Sequence, residues 1–188
     1  MKKKVSLLLV LVLSLSLVVG CKGKGEEVKE EVKEEVKEEV KEEIKETEVE
    51  DGFIEEDGKL VYLESENVPV DSPALKIIVD KDEKLVDFIP ADESGNVGVD
   101  YYRFNYETNE FEKYYYVSMM GTGHYYFYDL ENNELLRVED NEHNDSTQST
   151  KDSGRWDGAV EKIEEEIENL ENYFKESNGM TIKEFIEE

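Results

Sequence analysis

Cysteine and histidine, which so often carry metal and nucleophile chemistry, are nearly absent from this chain. Its 188 residues include one cysteine, Cys21, and two histidines, His124 and His143. A zinc site of the usual cysteine and histidine kind therefore cannot be assembled, and an intramolecular disulfide needs a second cysteine. We expect the folded part to hold together by packing, without a metal site.

Catalytic motifs are missing as well. The sequence has no Gly-x-Ser-x-Gly elbow and no glycine-rich phosphate loop ending in Lys-Ser/Thr. Pairs of carboxylates can hydrolyse glycosides. Among 49 acidic residues, however, such a pair is expected by chance and does not predict this activity. We therefore expect a protein that is not an enzyme and that uses no cofactor.

Positive charge is scarce, and the formal net charge is −27. Such a surface repels phosphates and anionic headgroups, which disfavours direct peripheral membrane binding and DNA or RNA binding, so we expect no nucleic acid partner. Two segments, starting at Asp80 and Asp140, begin like calcium loops, but Leu85 and Asp145 stand where the loop needs glycine. Calcium binding by the acidic residues 140–154 is left open.

The N-terminus combines three lysines with an apolar run. Residues 2–4 are lysines, residues 5–19 are largely apolar, and Gly20 and Cys21 follow. This order is typical of an export signal, and about fifteen apolar residues fall short of the roughly 20 that span a membrane. The junction Val18-Val19-Gly20-Cys21 resembles the lipobox of bacterial lipoproteins.

That resemblance covers only residues 1–21, and it implies three things. Residues 1–20 would be a signal peptide, Cys21 would become a lipidated N-terminus, and the protein would sit on the extracytoplasmic face of the cell membrane. A diacylglyceryl group brings two acyl chains, which is enough for stable anchoring. The membrane is thus an expected partner through the lipid.

Residues 21–50 are predicted to form a stalk. From Glu26 the unit Glu-Glu-Val-Lys repeats four times, then once as Glu-Glu-Ile-Lys ending at Lys45. The composition favours helix and is similar to that of coiled coils. However, the apolar residues recur every fourth position rather than roughly every 3.5, so they form no continuous seam. We expect a partly helical, solvated, monomeric stalk, with a dimerising rod as the alternative.

Residues 51–188 predict one α+β domain. Seven segments separated by turn residues predict strands: 60–64, 74–79, 85–89, 99–106, 111–118, 124–129 and 134–139. The short links between the last four favour an antiparallel meander. Residues 140–154 contain no apolar side chain and predict a flexible acidic loop.

An amphipathic helix is predicted to follow and to pack on the sheet. Its apolar residues recur at steps of three and four: Trp156, Val160, Ile163, Ile167, Leu170 and Phe174. Asn178-Gly179 predicts its end, and Thr181 with Glu184 predicts a capping box opening a last short helix. The expected fold class is α+β, mainly an antiparallel meander covered by this helix. A small barrel or sandwich with the helix outside is the alternative.

Tyrosine is concentrated in residues 101–128, which hold nine of the eleven in the chain. Alternation within each strand groups Tyr101 with Arg103, Tyr114 with Tyr116, and Tyr125 with Phe127, opposite other aromatic residues, so both faces of the sheet hold aromatics. The candidate ligand-binding residues are Tyr101, Arg103, Tyr114, Tyr116 and Tyr125. Cross-strand aromatic pairs could simply stabilise the sheet, by about 0.2–1 kcal/mol each. Alternatively, they form a platform that stacks on sugar rings or buries a peptide, because tyrosine has a flat apolar face and a polar tip.

Three classes of function stay open for a protein of this kind. We favour a surface-displayed binding or interaction module for a glycan or protein ligand, based on the tyrosine-rich segment. A structural or envelope-assembly lipoprotein without a small ligand is the alternative, and an envelope hydrolase is the second alternative.

Overall fold

The structure, a computed structural model, describes residues 52–188. The predicted signal peptide, Cys21 and the stalk lie outside these residues. The described part contains eight strands and three helices: β1 Ile54–Glu56, β2 Lys59–Glu64, β3 Ala74–Asp80, β4 Leu85–Ala91, β5 Tyr101–Asn105, β6 Glu110–Val117, β7 Thr122–Asp129, β8 Glu134–Asp140, α1 Thr147–Asp152, α2 Trp156–Asn178 and α3 Ile182–Glu187.

All eight strands lie in a single antiparallel sheet in chain order, from β1 to β8. The predicted α+β class and the meander are therefore confirmed. Sequence analysis missed β1, because three residues are too few to show alternation. The two-residue turn after β1 has positive φ at both Asp57 (51°) and Gly58 (79°), as a tight hairpin requires.

Strand β5 is shorter than predicted, since it begins at Tyr101 and not at residue 99. The chain just before it pairs with the end of β4 instead: Val97 forms an isolated bridge with Ala91, and the Gly98 amide donates to the Pro90 carbonyl at 3.2 Å. Residues 97–98 are thus tied to the neighbouring strand by local contacts outside the regular ladder.

One face of the sheet, the inner face, packs against α2 and α3. Its centre is built from fully buried phenylalanines on adjacent strands, Phe88, Phe104 and Phe111, which approach each other edge to face. Phe174 of α2 meets Phe88 at 6.2 Å between ring centroids. This side-chain interdigitation explains why the apolar stripe of the helix covers this face.

Helix α2 buries most of the predicted stripe. Ile163, Ile167, Leu170 and Phe174 are buried, together with Tyr173, which the pattern did not include. Gly179 ends the helix in the left-handed conformation with φ of 75°, and Thr181 and Glu184 form the capping box of α3. The predicted stop and capping box are both confirmed.

The predicted flexible loop 140–154 is wrong over much of its length. It contains helix α1, whose Thr150 is buried. Asp140 accepts hydrogen bonds from the amides of Glu142 and Asn144, both at 2.9 Å. Polar residues here replace the missing apolar contacts by hydrogen-bonding their own backbone, a local effect that composition alone does not reveal.

Candidate functional site

The predicted ligand-binding residues lie on the outer face of the sheet, opposite the helices. Tyr101 pairs with Tyr114 and Tyr114 with Tyr125 in the strand register, so the three form one row across β5, β6 and β7. Their ring centroids lie 6.1 Å and 4.4 Å apart. The register therefore converts three separate strand positions into a continuous aromatic row.

His143, which was not predicted, extends this row past β7 to the edge strand β8. Its ring stacks on Tyr125 at 4.4 Å with an interplanar angle of 23°, and its Nδ1 lies 3.2 Å from Glu139 Oε2. Residue 143 has positive φ, 62°, inside the turn after β8. No sequence signal identifies this contact, since it depends on how the turn folds back on the strand.

Arg103 lies one row away, where two arginines flank the tyrosines. Its guanidinium makes a two-point contact with Asp87, at 2.6 Å and 2.9 Å, and lies 5.4 Å from the Tyr101 ring centroid. Arg137, also not predicted, stacks on buried Phe127 at 3.6 Å and donates to Glu139 at 2.8 Å. Both cations are held in place by a carboxylate and an aromatic ring.

Tyr116 is on the same face but outside the row. It pairs with Gly123, and its amide donates to Asp100 at 2.8 Å. The ring of Tyr114 lies over Gly123, so that a Cβ there would collide with the tyrosine ring and its hydroxyl oxygen. Glycine in this strand is thus needed for the close approach of an aromatic ring from the neighbouring strand.

The phenol of Tyr101 is fixed by a carboxylate. Its hydroxyl donates to Glu112, and burial together with this carboxylate raises its pKa. The group therefore stays protonated at neutral pH and acts as a hydrogen-bond donor. We call Tyr101, Arg103, Tyr114, Tyr125, Phe127, Arg137 and His143 the outer belt.

The inner face also carries a polar cleft that sequence analysis missed. Lys113 is 4% exposed, and its Nζ contacts both carboxylate oxygens of Glu166 on α2, at 2.5 Å and 2.6 Å. Burial lowers the pKa of Lys113, against the opposing attraction of Glu166. The cleft beside the pair has a volume of about 490 Å³, and the rings of Tyr102 and Tyr115 line it.

Strand alternation could have placed Lys113 on the inner face. The same alternation identifies its neighbours Phe111 and Tyr115 as inner-face residues. Its partner Glu166 is 53 positions away along the chain, so only the docking of the helix shows that this charge is neutralised.

No group of three or more histidine, cysteine, aspartate or glutamate side chains in residues 52–188 is arranged to hold a metal ion. Across the same residues, no helix combines the length and the apolar character needed to cross a membrane. Comparison of the chain with family models, curated proteins and solved structures finds no match.

Proposed function

We propose that this chain is a lipid-anchored extracytoplasmic binding protein, and that its outer belt binds an uncharged glycan chain. The observation that carries the proposal is the aromatic row of Tyr101, Tyr114, Tyr125 and His143, which runs across three strands and a turn. It supplies a line of rings and polar tips on one sheet face.

The charge of the outer belt favours an uncharged ligand. The chain carries −27 overall, yet the two guanidinium groups of the belt each have carboxylate partners, Asp87 for Arg103 and Glu139 for Arg137. Glu112 beside Tyr101 and Glu110 beside Arg137 add two further carboxylates. The belt therefore holds more carboxylates than guanidinium groups, and it offers no unpaired cation to attract an anionic ligand.

The polar groups of the belt suit sugar hydroxyls. Arg103 uses Nε and one terminal nitrogen for Asp87, so the other terminal nitrogen keeps its donors. Flat rings provide apolar contact for sugar C–H groups, while tyrosine hydroxyls and these held side chains donate and accept at the edges. Side chains already fixed by partners lose little conformational entropy on binding.

The test is a glycan array, with a peptide array in parallel, probed with the full-length protein in mild detergent. Tyr125→Ala removes the central ring and should weaken binding of the selected glycan by about three- to tenfold. Tyr115→Ala is the matched control, because Tyr115 lies on the same hairpin but on the inner face and is 42% exposed. If the arrays select peptides and no glycan, the ligand is a peptide and the proposed glycan is wrong. If both variants lose the same amount of binding affinity, the outer belt is not the binding site.

A structural role is the second candidate, and one observation favours it. The ring of Tyr125 lies 4.4 Å from the tilted ring of Tyr114 and 4.4 Å from the stacked ring of His143, so part of each ring face is already covered. Such pairs stabilise a sheet without any ligand. If neither array selects a ligand, and Tyr125→Ala lowers only the stability, the protein is better described as a structural envelope lipoprotein.

The anchoring part of the proposal rests on Cys21 and the lipobox resemblance around it. We expect the Cys21→Ala protein to lose its acyl mass and to leave the membrane fraction. Intact-mass spectrometry and fractionation measure both effects. A variant that stays in the membrane fraction with unchanged mass would show that the cysteine carries no lipid.

A further inference from the structure

The turn between β6 and β7 exposes two neighbouring methionines. Met119 is 96% exposed and Met120 is 73% exposed. The Met120 amide donates to the Val117 carbonyl at 3.0 Å, and Gly121 has positive φ, 63°, so the backbone of the turn is closed while both side chains stay in water. Apolar side chains lose this contact with water when they are buried against an apolar partner, which is favourable. We call residues 118–121 the methionine turn.

The segment around the methionine turn has no charged side chain. The fifteen residues 114–128 include no aspartate, glutamate, lysine or arginine, in a chain of which 38% of residues are charged. The Tyr116 amide donates to Asp100 at 2.8 Å, and the neighbouring Val99 is 62% exposed. Exposed apolar side chains that cluster in this way mark a surface for an apolar partner.

The hairpin that carries the methionine turn projects beyond the neighbouring strands. β5 begins at Tyr101, opposite Tyr114, so three further strand residues of β6 extend past its first residue. β8 ends at Asp140, opposite His124, so two strand residues of β7 extend past its last residue. Three strand residues span about 10 Å. The two methionines therefore lie at the end of a protruding hairpin.

The chain enters the sheet at the same end. The eight strands are antiparallel neighbours in chain order, so their directions alternate, and the start of β1 lies at the end where β6 turns into β7. Residues 22–51 join Cys21 to this point in the chain. The anchor proposed at Cys21 and the methionine turn are therefore connected to the same end of the domain.

We propose that the methionine turn contacts the surface of the bilayer that holds the lipid anchor, at headgroups without net charge. This inference rests on the anchoring part of the proposed function. The two flexible thioether side chains enter the boundary between headgroups and acyl chains, where apolar side chains are stabilised. Asp92 and Glu93, which follow β4, and Asp100 lie at the same end of the sheet. Their carboxylates repel anionic headgroups, so neutral, zwitterionic lipid is the preferred surface.

The contact is much weaker than the anchor. Two methionine side chains bury far less apolar surface than two acyl chains do. The turn therefore acts only when the anchor already keeps the domain near the bilayer, where it orients the domain. This weakness agrees with the release from the membrane that we expect for Cys21→Ala.

The test places a single tryptophan in the methionine turn of the acylated protein. Trp156 is the only tryptophan of the chain, so Trp156→Phe gives a background without tryptophan, and Met120→Trp is the reporter. Protein identified as acylated by its intact mass is reconstituted into phosphatidylcholine vesicles with acyl chains brominated near the headgroup. We expect blue-shifted emission and quenching, because the indole ring is at the interface. Replacing part of the lipid by anionic phosphatidylglycerol should reduce the quenching.

The matched control puts the same reporter at the opposite end of the sheet. Thr108 is exposed in the turn between β5 and β6, and Thr108→Trp in the same background should not be quenched. Met119→Glu, added to the Met120→Trp reporter, brings a charge into the methionine turn and should remove most of the quenching. Circular dichroism confirms that each variant is folded.

The outcomes separate this contact from the anchor. If acylated Met120→Trp protein shows no quenching, if positions 108 and 120 are quenched equally, or if Met119→Glu has no effect, the contact is overturned and the anchor stands. Quenching that anionic lipid leaves unchanged overturns the preference for neutral headgroups. Protein that carries no acyl mass overturns the anchor, and the contact with it.

Discussion

The buried ion pair between Lys113 and Glu166 leads to a quantitative prediction about stability. The lysine side chain is 5% exposed and the glutamate side chain 15%. Two charges removed from water lose much of what their attraction gains. Breaking the pair should therefore be far more costly than replacing it entirely by apolar groups.

Glu166→Gln leaves the ammonium of Lys113 buried among Tyr102 and Tyr115, whose rings lie 5.3 Å and 5.5 Å from Nζ. Aromatic rings compensate only part of the lost carboxylate, so we expect a loss of about 3–5 kcal/mol in the free energy of unfolding. Lys113→Met should cost less, about 1–3 kcal/mol, because Glu166 is more exposed and Lys162 lies 4.0 Å away.

The double variant Lys113→Met with Glu166→Leu should be within about 1 kcal/mol of the wild type, or more stable. Urea denaturation of Lys113→Met, of Glu166→Leu alone and of the double variant, each compared with the wild type, measures the coupling energy of the pair, which should exceed about 2 kcal/mol. Lys162→Met is the control, because this lysine is 61% exposed, and its loss should cost less than about 1 kcal/mol. If the free-energy losses of the two single variants add up to that of the double variant, the two residues are not coupled.

Two further predictions concern the core and the pH dependence of stability. Ile167→Ala, a large-to-small change at a 9% exposed position, should cost about 2–5 kcal/mol, and a denaturation midpoint equal to the wild type would mean that α2 is not docked through this residue. Burial opposes ionisation of Glu64, but the amides of Glu66 and Asn67 and the Tyr173 hydroxyl, at 2.8 Å, outweigh it and lower its pKa. Because the folded pKa lies below the unfolded value of 4.5, the ionised group stabilises above that value, and Glu64→Gln should cost about 1–3 kcal/mol at pH 7. This difference from the wild type should shrink as pH falls through the folded pKa, and a gap that is constant from pH 7 to about pH 3 would contradict the assignment.

Much of the fold was predictable because its signals are local. Alternation identified seven of the eight strands, and the spacing of Ile163, Ile167 and Leu170 identified the buried stripe of α2. Capping at Thr181 and the left-handed Gly179 depend on neighbours within a few residues. The short β1 and the polar helix α1 were missed because neither shows an apolar period.

The candidate sites were predictable only in part. Alternation separated Tyr101, Tyr114 and Tyr125 from their neighbours within each strand, but it does not set which faces and which residues lie side by side across strands. A shift of one residue in register would move a tyrosine to the other face. The direct contact of these rings therefore follows from the strand pairing, which turn geometry and core packing select together.

The amino-acid pattern alone thus establishes an acidic chain and predicts its export. It also predicts that the C-terminal part forms an antiparallel meander followed by a capped helix. The contacts that matter for chemistry join distant positions, such as Lys113 with Glu166 and Tyr125 with His143. These contacts depend on how helices and turns dock on the sheet. Docking is decided by the summed packing of many side chains, and no local segment of the chain encodes that sum.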